Sequence, residues 1–212
     1  MKGIKFGNYH SYDDFSLILS QKTISAPSPK VESIEIPGGD GVLDLTDFFG
    51  EVKYNNRELT FEFSSIVPQA EFLEQFSMIQ NAIHGRKMQI VLDDDAEWYY
   101  IGRITVPEWK AEKSIGRLTI VCDCEPYKYS VNDSNISQNV TDKAVILLSN
   151  SRMKVVPTIT TSAEMTIAFG NYSGTFSKGT FIIPELELAE GETAVTVTGA
   201  GTITFTYRKG EL

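Results

Sequence analysis

Residues 117–124 read Arg-Leu-Thr-Ile-Val-Cys-Asp-Cys. Side chains alternate across a strand, so this octet puts Leu118, Ile120, Cys122 and Cys124 on one face and leaves the other face to water. The same period-2 rule governs Leu59-Thr-Phe-Glu-Phe-Ser64 upstream. Met88-Gln-Ile-Val-Leu92 and Trp98–Val106 supply two more strands around Asp93-Asp-Asp-Ala-Glu97, which reads as a hairpin turn. One stretch breaks the period. Phe72, Phe76, Ile79 and Ile83 recur at spacings of 4, 3 and 4, the signature of a helix with one apolar stripe. Pro68 suits its first position and Gly85 its C-terminal cap.

The rest of the chain points the same way. After Tyr129 a polar run, Ser-Val-Asn-Asp-Ser-Asn-Ile-Ser-Gln-Asn139, offers little to bury. Beyond it, short runs rich in Thr, Val, Ile and Phe fall at 154–160, 165–169, 174–176, 179–183, 194–198 and 202–207. Gly170-Asn, Ser177-Lys-Gly, Gly191 and Gly199-Ala-Gly separate them. Short strands at this spacing, with no helical period, describe an antiparallel β-sandwich. The expected fold is therefore mainly β with one α-helix, in two domains: mostly strands with one helix over 1–128 and an antiparallel β-sandwich over 129–212.

Composition bounds the function. The 212 residues carry 19 basic and 28 acidic side chains, net −9. A general nucleic-acid binder needs a dense basic face, which this balance argues against. Residues 1–128 hold 13 basic and 20 acidic side chains, so most of the acidity lies there. No apolar run approaches a membrane span. Met-Lys-Gly-Ile-Lys-Phe at the N-terminus lacks the apolar core of a signal peptide. Cys122 and Cys124 share a strand face too closely for an unstrained disulfide, so two buried, reduced thiols are expected.

Catalysis needs a constellation of groups, and none is legible. His84 falls at the helix C-terminus, where positive charge is favoured. His10, in Asn-Tyr-His-Ser-Tyr-Asp-Asp14, reads as part of a solvated turn. Asp93–Asp95 could offer oxygens to calcium, yet lacks the alternation and distal Glu of an EF-hand loop. A tight turn gathers aspartates for the same local hydrogen bonding. Pro37-Gly-Gly-Asp-Gly41 lacks the Lys-Ser/Thr of a phosphate loop. No catalytic, cofactor or metal residues are therefore assigned.

One segment is long for a hairpin. Residues 41–57 carry Leu43, Leu45, Phe48, Phe49 and Tyr54 between two strands. Loops of this length are often functional, and an apolar extension that cannot reach its own core needs a partner. These five residues are the candidate oligomer contacts.

Several stretches resemble one family. Gly3-Ile-Lys-Phe-Gly-Asn-Tyr-His-Ser-Tyr-Asp-Asp-Phe15, Pro37-Gly-Gly-Asp-Gly-Val-Leu-Asp-Leu-Thr46 and Tyr54-Asn-Asn-Arg-Glu-Leu-Thr-Phe-Glu-Phe63 are similar to distal tail proteins of long-tailed bacteriophages. So are Cys124-Glu-Pro-Tyr-Lys-Tyr129, Val156-Pro-Thr-Ile-Thr160 and Leu188–Gly201. The order and spacing of these motifs extend over nearly the whole chain.

The resemblance implies a structural protein, with no cofactor, in the tail tip of a virion and assembled in the bacterial host cytoplasm. It implies a homohexameric ring joining the tail tube protein to the tail-tip hub and to receptor-binding or baseplate proteins. The first domain would be a tail-tube-like β-sandwich with a flanking helix and form the ring; the second would be a galectin-like antiparallel β-sandwich. Six copies at −9 each carry −54, so DNA would pass through such a ring without specific binding. Some relatives insert carbohydrate-binding modules, for which 212 residues leave no room. An alternative reading makes the second domain itself a carbohydrate-binding module for host attachment. Phe169, Tyr172, Phe176 and Phe181 are the rings that would stack on a sugar.

Overall fold

A computed structural model describes residues 2–48, 50–112 and 115–212, with the side chain of Glu112 set aside. The chain divides into two compact units, Met1–Pro126 and Tyr127–Leu212.

The first unit contains β1 (Ile4–Phe6), β2 (Tyr9–His10), β3 (Leu17–Ile24), β4 (Ser33–Glu35), β5 (Val42–Asp44) and β6 (Arg57–Ser65). Helix α1 (Phe72–Ile83) follows, then β7 (Lys87–Leu92), β8 (Trp98–Glu112) and β9 (Ile115–Cys124). Seven of these strands make one antiparallel sheet in the order β2-β1-β7-β8-β9-β6-β3. Strict alternation buries Gly116, Leu118, Ile120, Cys122 and Cys124 of β9. Opposite them, β6 buries Leu59, Phe61 and Phe63. Phe6 meets Phe61 and Phe63 edge-on, at 6.0 and 6.4 Å between ring centres. The sheet curls until its ends approach, and Lys22 of β3 forms an ion pair with Asp94 in the β7–β8 turn.

Ile79 and Ile83 of α1 are fully buried against this core, with Phe76 packed beside them. The helix begins later than the position of Pro68 suggests. Pro68 instead caps a 3-10 turn, Gln69–Glu71, that leads into α1. Gly85 ends the helix at φ +74°, a conformation that costs glycine little. Arg86 donates from its guanidinium to the Asn81 carbonyl at 3.0 Å, covering one of the helix's last acceptors.

The second unit contains β10 (Lys128–Ser130), β11 (Ser134–Val140), β12 (Lys143–Asn150), β13 (Thr158–Thr161) and β14 (Met165–Phe169). Then come β15 (Tyr172–Phe176), β16 (Gly179–Ile182), β17 (Gly191–Gly199), β18 (Gly201–Tyr207) and β19 (Gly210–Glu211). Two antiparallel sheets, β11-β18-β13-β16 and β12-β17-β14-β15, enclose a core of Ile146, Leu148, Ile167, Val195, Val197, Ile203 and Phe205 among others. The polar run after Tyr129 is thus not all linker. Its second half forms edge strand β11, with Asn135, Ser137 and Asn139 facing solvent and Val140 buried. Tyr207 is buried and donates its hydroxyl to the Ser149 carbonyl at 2.6 Å, and that burial raises its pKa. No helix among the described residues is long and apolar enough to cross a membrane.

Candidate assembly interface

The connection from β3 to β6, residues 25–56, leaves the sheet as an arm. Its root is a short ladder, with Pro29 bridged to Tyr54, the Lys30 amide donating to the Lys53 carbonyl at 2.7 Å and the Asn55 amide donating to Ser28 at 2.9 Å. Farther out, β4 and β5 form an isolated two-stranded ribbon in the register Ser33↔Asp44, Ile34↔Leu43, Glu35↔Val42. Residues 41–44, expected as part of a loop, are therefore half of this ribbon. Alternation sorts its side chains: Ile34, Ile36 and Leu43 share one face, while Glu35, Val42 and Asp44 share the other.

Arg57 fixes the root. It is only 7% exposed, donates from Nε to the Ser25 carbonyl at 2.9 Å, and lies 5.3 Å from the Tyr100 ring centre. A guanidinium stripped of water needs such partners. At the ribbon's inner end, Thr46 bonds Asp44 through its hydroxyl and its amide, the latter at 2.9 Å, and these bonds hold the Asp44 carboxyl below its ordinary range.

Of the expected contact residues, Leu43 is exposed and Phe48 is 72% exposed, whereas Leu45 and Tyr54 are half-buried. Phe49 lies outside the described residues. Val31, Ile34, Ile36 and Val42 are exposed as well. Sequence reading missed these four, because the ladder that carries them is not evident from periodicity in so polar a stretch. The arm thus exposes far more apolar surface than its own length can cover, the pattern of a contact surface. An isolated two-stranded ribbon is also marginal in water.

A groove flanks α1. Its floor comprises Tyr9, Phe15, Val67, Met78 and Ala82, in two hollows of about 310 and 510 Å³ that share Phe15 and Met78. Ile66, exposed and bonded through its amide to the Ser16 carbonyl, adds apolar surface beside it. Gln75, buried on the helix, builds the groove. It accepts from the Ser65 hydroxyl and donates to the Phe15 carbonyl, both at 2.7 Å, which holds the 15–16 segment against α1. Asp14, Glu71 and Glu74 form the rim. Among the described residues, neither Glu71 nor Glu74 meets a basic side chain.

The other sequence candidates have structural work. Asp93 accepts the Gly3 amide at 2.6 Å and approaches His10 Nε2 at 3.1 Å. His10 is not part of a solvated turn: it is 19% exposed and bridges Asp93 to Asp13, whose carboxylate is 3.0 Å from Nδ1. The histidine sits low because Gly3 leaves room; a Cβ there would lie 2.8 Å from its ring. Asp93, His10 and Asp13 thus form a clasp, and among the described residues no cluster of His, Cys, Asp or Glu could hold a metal ion. His84 Nδ1 accepts the Val106 amide at 3.0 Å, and the ring ties the helix end to β8.

Cys122 and Cys124 are free and buried. Burial pushes both thiols up, Cys124 to about 12. In the second unit, Phe169 stacks on Tyr172 at 4.9 Å and Phe176 on Phe181 at 4.4 Å, all four partly buried against the core. Each ring therefore already has one face occupied by another ring.

No protein-family model and no curated protein matches the chain. Among solved structures it is similar to the crystal structure of SPP1 Dit (gp 19.1), described as a paradigm of the hub adsorption apparatus in phages infecting Gram-positive bacteria. The TM-score is 0.73 at 16% identity, covering 98% of this chain and 99% of that one. The likeness is thus one of fold along nearly the full length of both proteins.

Proposed function

We propose that this chain is a distal tail protein, a structural subunit of a phage tail tip. Six copies close a ring through the first unit, the tail-tube-like part, and the arm supplies contacts between neighbours. The ring joins the tail tube to the tail-tip hub and to receptor-binding or baseplate proteins, with the second, galectin-like unit offering surface for docking them. DNA passes through without specific binding, since an acidic wall repels phosphate. The virion tail tip is then its place of action, reached after assembly in the host cytoplasm.

The observation that carries this reading is the arm: a β-ribbon with exposed Ile34, Leu43 and Phe48, on a fold shared end to end with a phage hub protein. A subunit that stayed alone would leave that surface to water. The test is mass in solution, alone and on co-expression with tail proteins. A ring is the expected result, and a monomer under every condition overturns the proposal. In a second experiment, Phe48→Asp with Phe49→Asp blocks assembly and leaves the folded monomer intact; undisturbed assembly removes the arm from the interface.

A further inference from the structure

The arm has an unsatisfied pair of charges at its root. Lys30 and Lys53 are direct cross-strand partners in the ladder that includes Pro29 and Tyr54. Their Cβ atoms are then about 4.5–5.5 Å apart, and like charges so placed repel. Neither ammonium meets a carboxylate among the described residues. The groove beside α1 has the opposite fault. Glu71 and Glu74, three residues apart at the helix start, sit about 5–6 Å from each other. Each pair would be relieved by the other, and their spacings match.

The apolar surfaces agree with the charges. Ile34, Ile36 and Leu43 share one ribbon face, and the groove floor of Tyr9, Phe15, Val67 and Met78 provides a complementary surface. Glu35 and Asp44 lie on the ribbon's other face, so docking by the apolar side keeps them away from Glu71 and Glu74. Because the arm and the groove are both exposed within one chain, neither covers the other.

Resting on the ring reading above, we infer that the groove along α1 is the acceptor for the arm of a second copy of this chain. Lys30 and Lys53 of one copy face Glu71 and Glu74 of the next. The contact is heterologous, one patch meeting a different patch, which is the kind that generates rings. The pairs are exposed before docking and shielded after it, so the contact weakens as salt rises.

Charge exchange tests the pairing on the full chain, with assembly followed by native mass measurement and light scattering. Lys30→Glu with Lys53→Glu, and separately Glu71→Lys with Glu74→Lys, should each weaken assembly by about a hundredfold or more, as like charges then meet. A chain carrying all four changes should recover assembly to within about tenfold of the original. The helix start favours acids, so Glu71→Gln with Glu74→Gln provides a gentler variant, and melting curves confirm folding in each case. Recovery in the fourfold variant supports the inference. Assembly that ignores either exchange, or both exchanges failing without mutual rescue, overturns the inference and leaves the ring reading standing. An unaltered chain that never assembles overturns both.

Discussion

Two connections in the first unit solve opposite problems. The β7–β8 turn, residues 93–97, is short, and its acids are engaged: Asp93 with Gly3 and His10, Asp94 with Lys22. The β3–β6 connection, residues 25–56, is long, and Val31, Ile34, Ile36, Val42 and Leu43 stand exposed along it. Both are net acidic segments between strands, so charge does not separate them. What separates them is how much apolar surface each leaves to water. The turn belongs to the folding of one chain; the arm leaves its apolar ribbon face exposed.

Substitutions can break that contrast. Gly3→Ala should have the largest effect. Its Cβ would meet the His10 ring and Ser11 Oγ at 2.8 Å, so the clasp must open, at about 1–3 kcal/mol in chemical denaturation. Asp93→Ala removes the acceptor of the Gly3 amide and a partner of His10, and should cost about 1–2 kcal/mol. If either change left stability untouched, the turn would be no clasp.

Asp94→Asn should act mainly through pH. The hydrogen bond from Lys22 holds the Asp94 carboxyl below its ordinary value of 3.8. Its folded form therefore gives up the proton more readily than its unfolded form. The stability this supplies is present above pH 3.8 and is lost as pH falls through the folded value. The Asn variant should therefore lose less stability than the parent over that acid range, measured by melting at stepped pH. Phe48→Asp should have the smallest effect, within about 0.5 kcal/mol on monomer stability, because it changes an arm residue remote from any core. A large loss would mean that the arm supports its own unit.

Legibility in the sequence followed burial. The strands at 59–64, 88–92, 98–106 and 117–124 and the α1 stripe were plain, because each buries one face and leaves the other polar. β3 and β11 were not, since most of their side chains face water, and pairing rather than pattern makes them strands. The arm drew attention through excess apolar residues in a long connection. Its ribbon register stayed hidden, because two of its six strand residues are acidic and none is buried. Lys30 and Lys53 stand 23 positions apart, and only the ladder reveals them as neighbours. Gln75 was masked by its place within an apolar stripe, as a buried amide there looks no different from a solvent-facing one.

The two cysteines carry a consequence for storage. With its pKa pushed up to about 12, Cys124 holds its nucleophilic thiolate at about one part in 10⁵ at neutral pH. Cys122 holds less still. Oxidants and disulfides attack the thiolate, and burial also bars their approach. Both thiols should therefore stay reduced for long periods in air-saturated water. The inward face of one strand acts as their preservative.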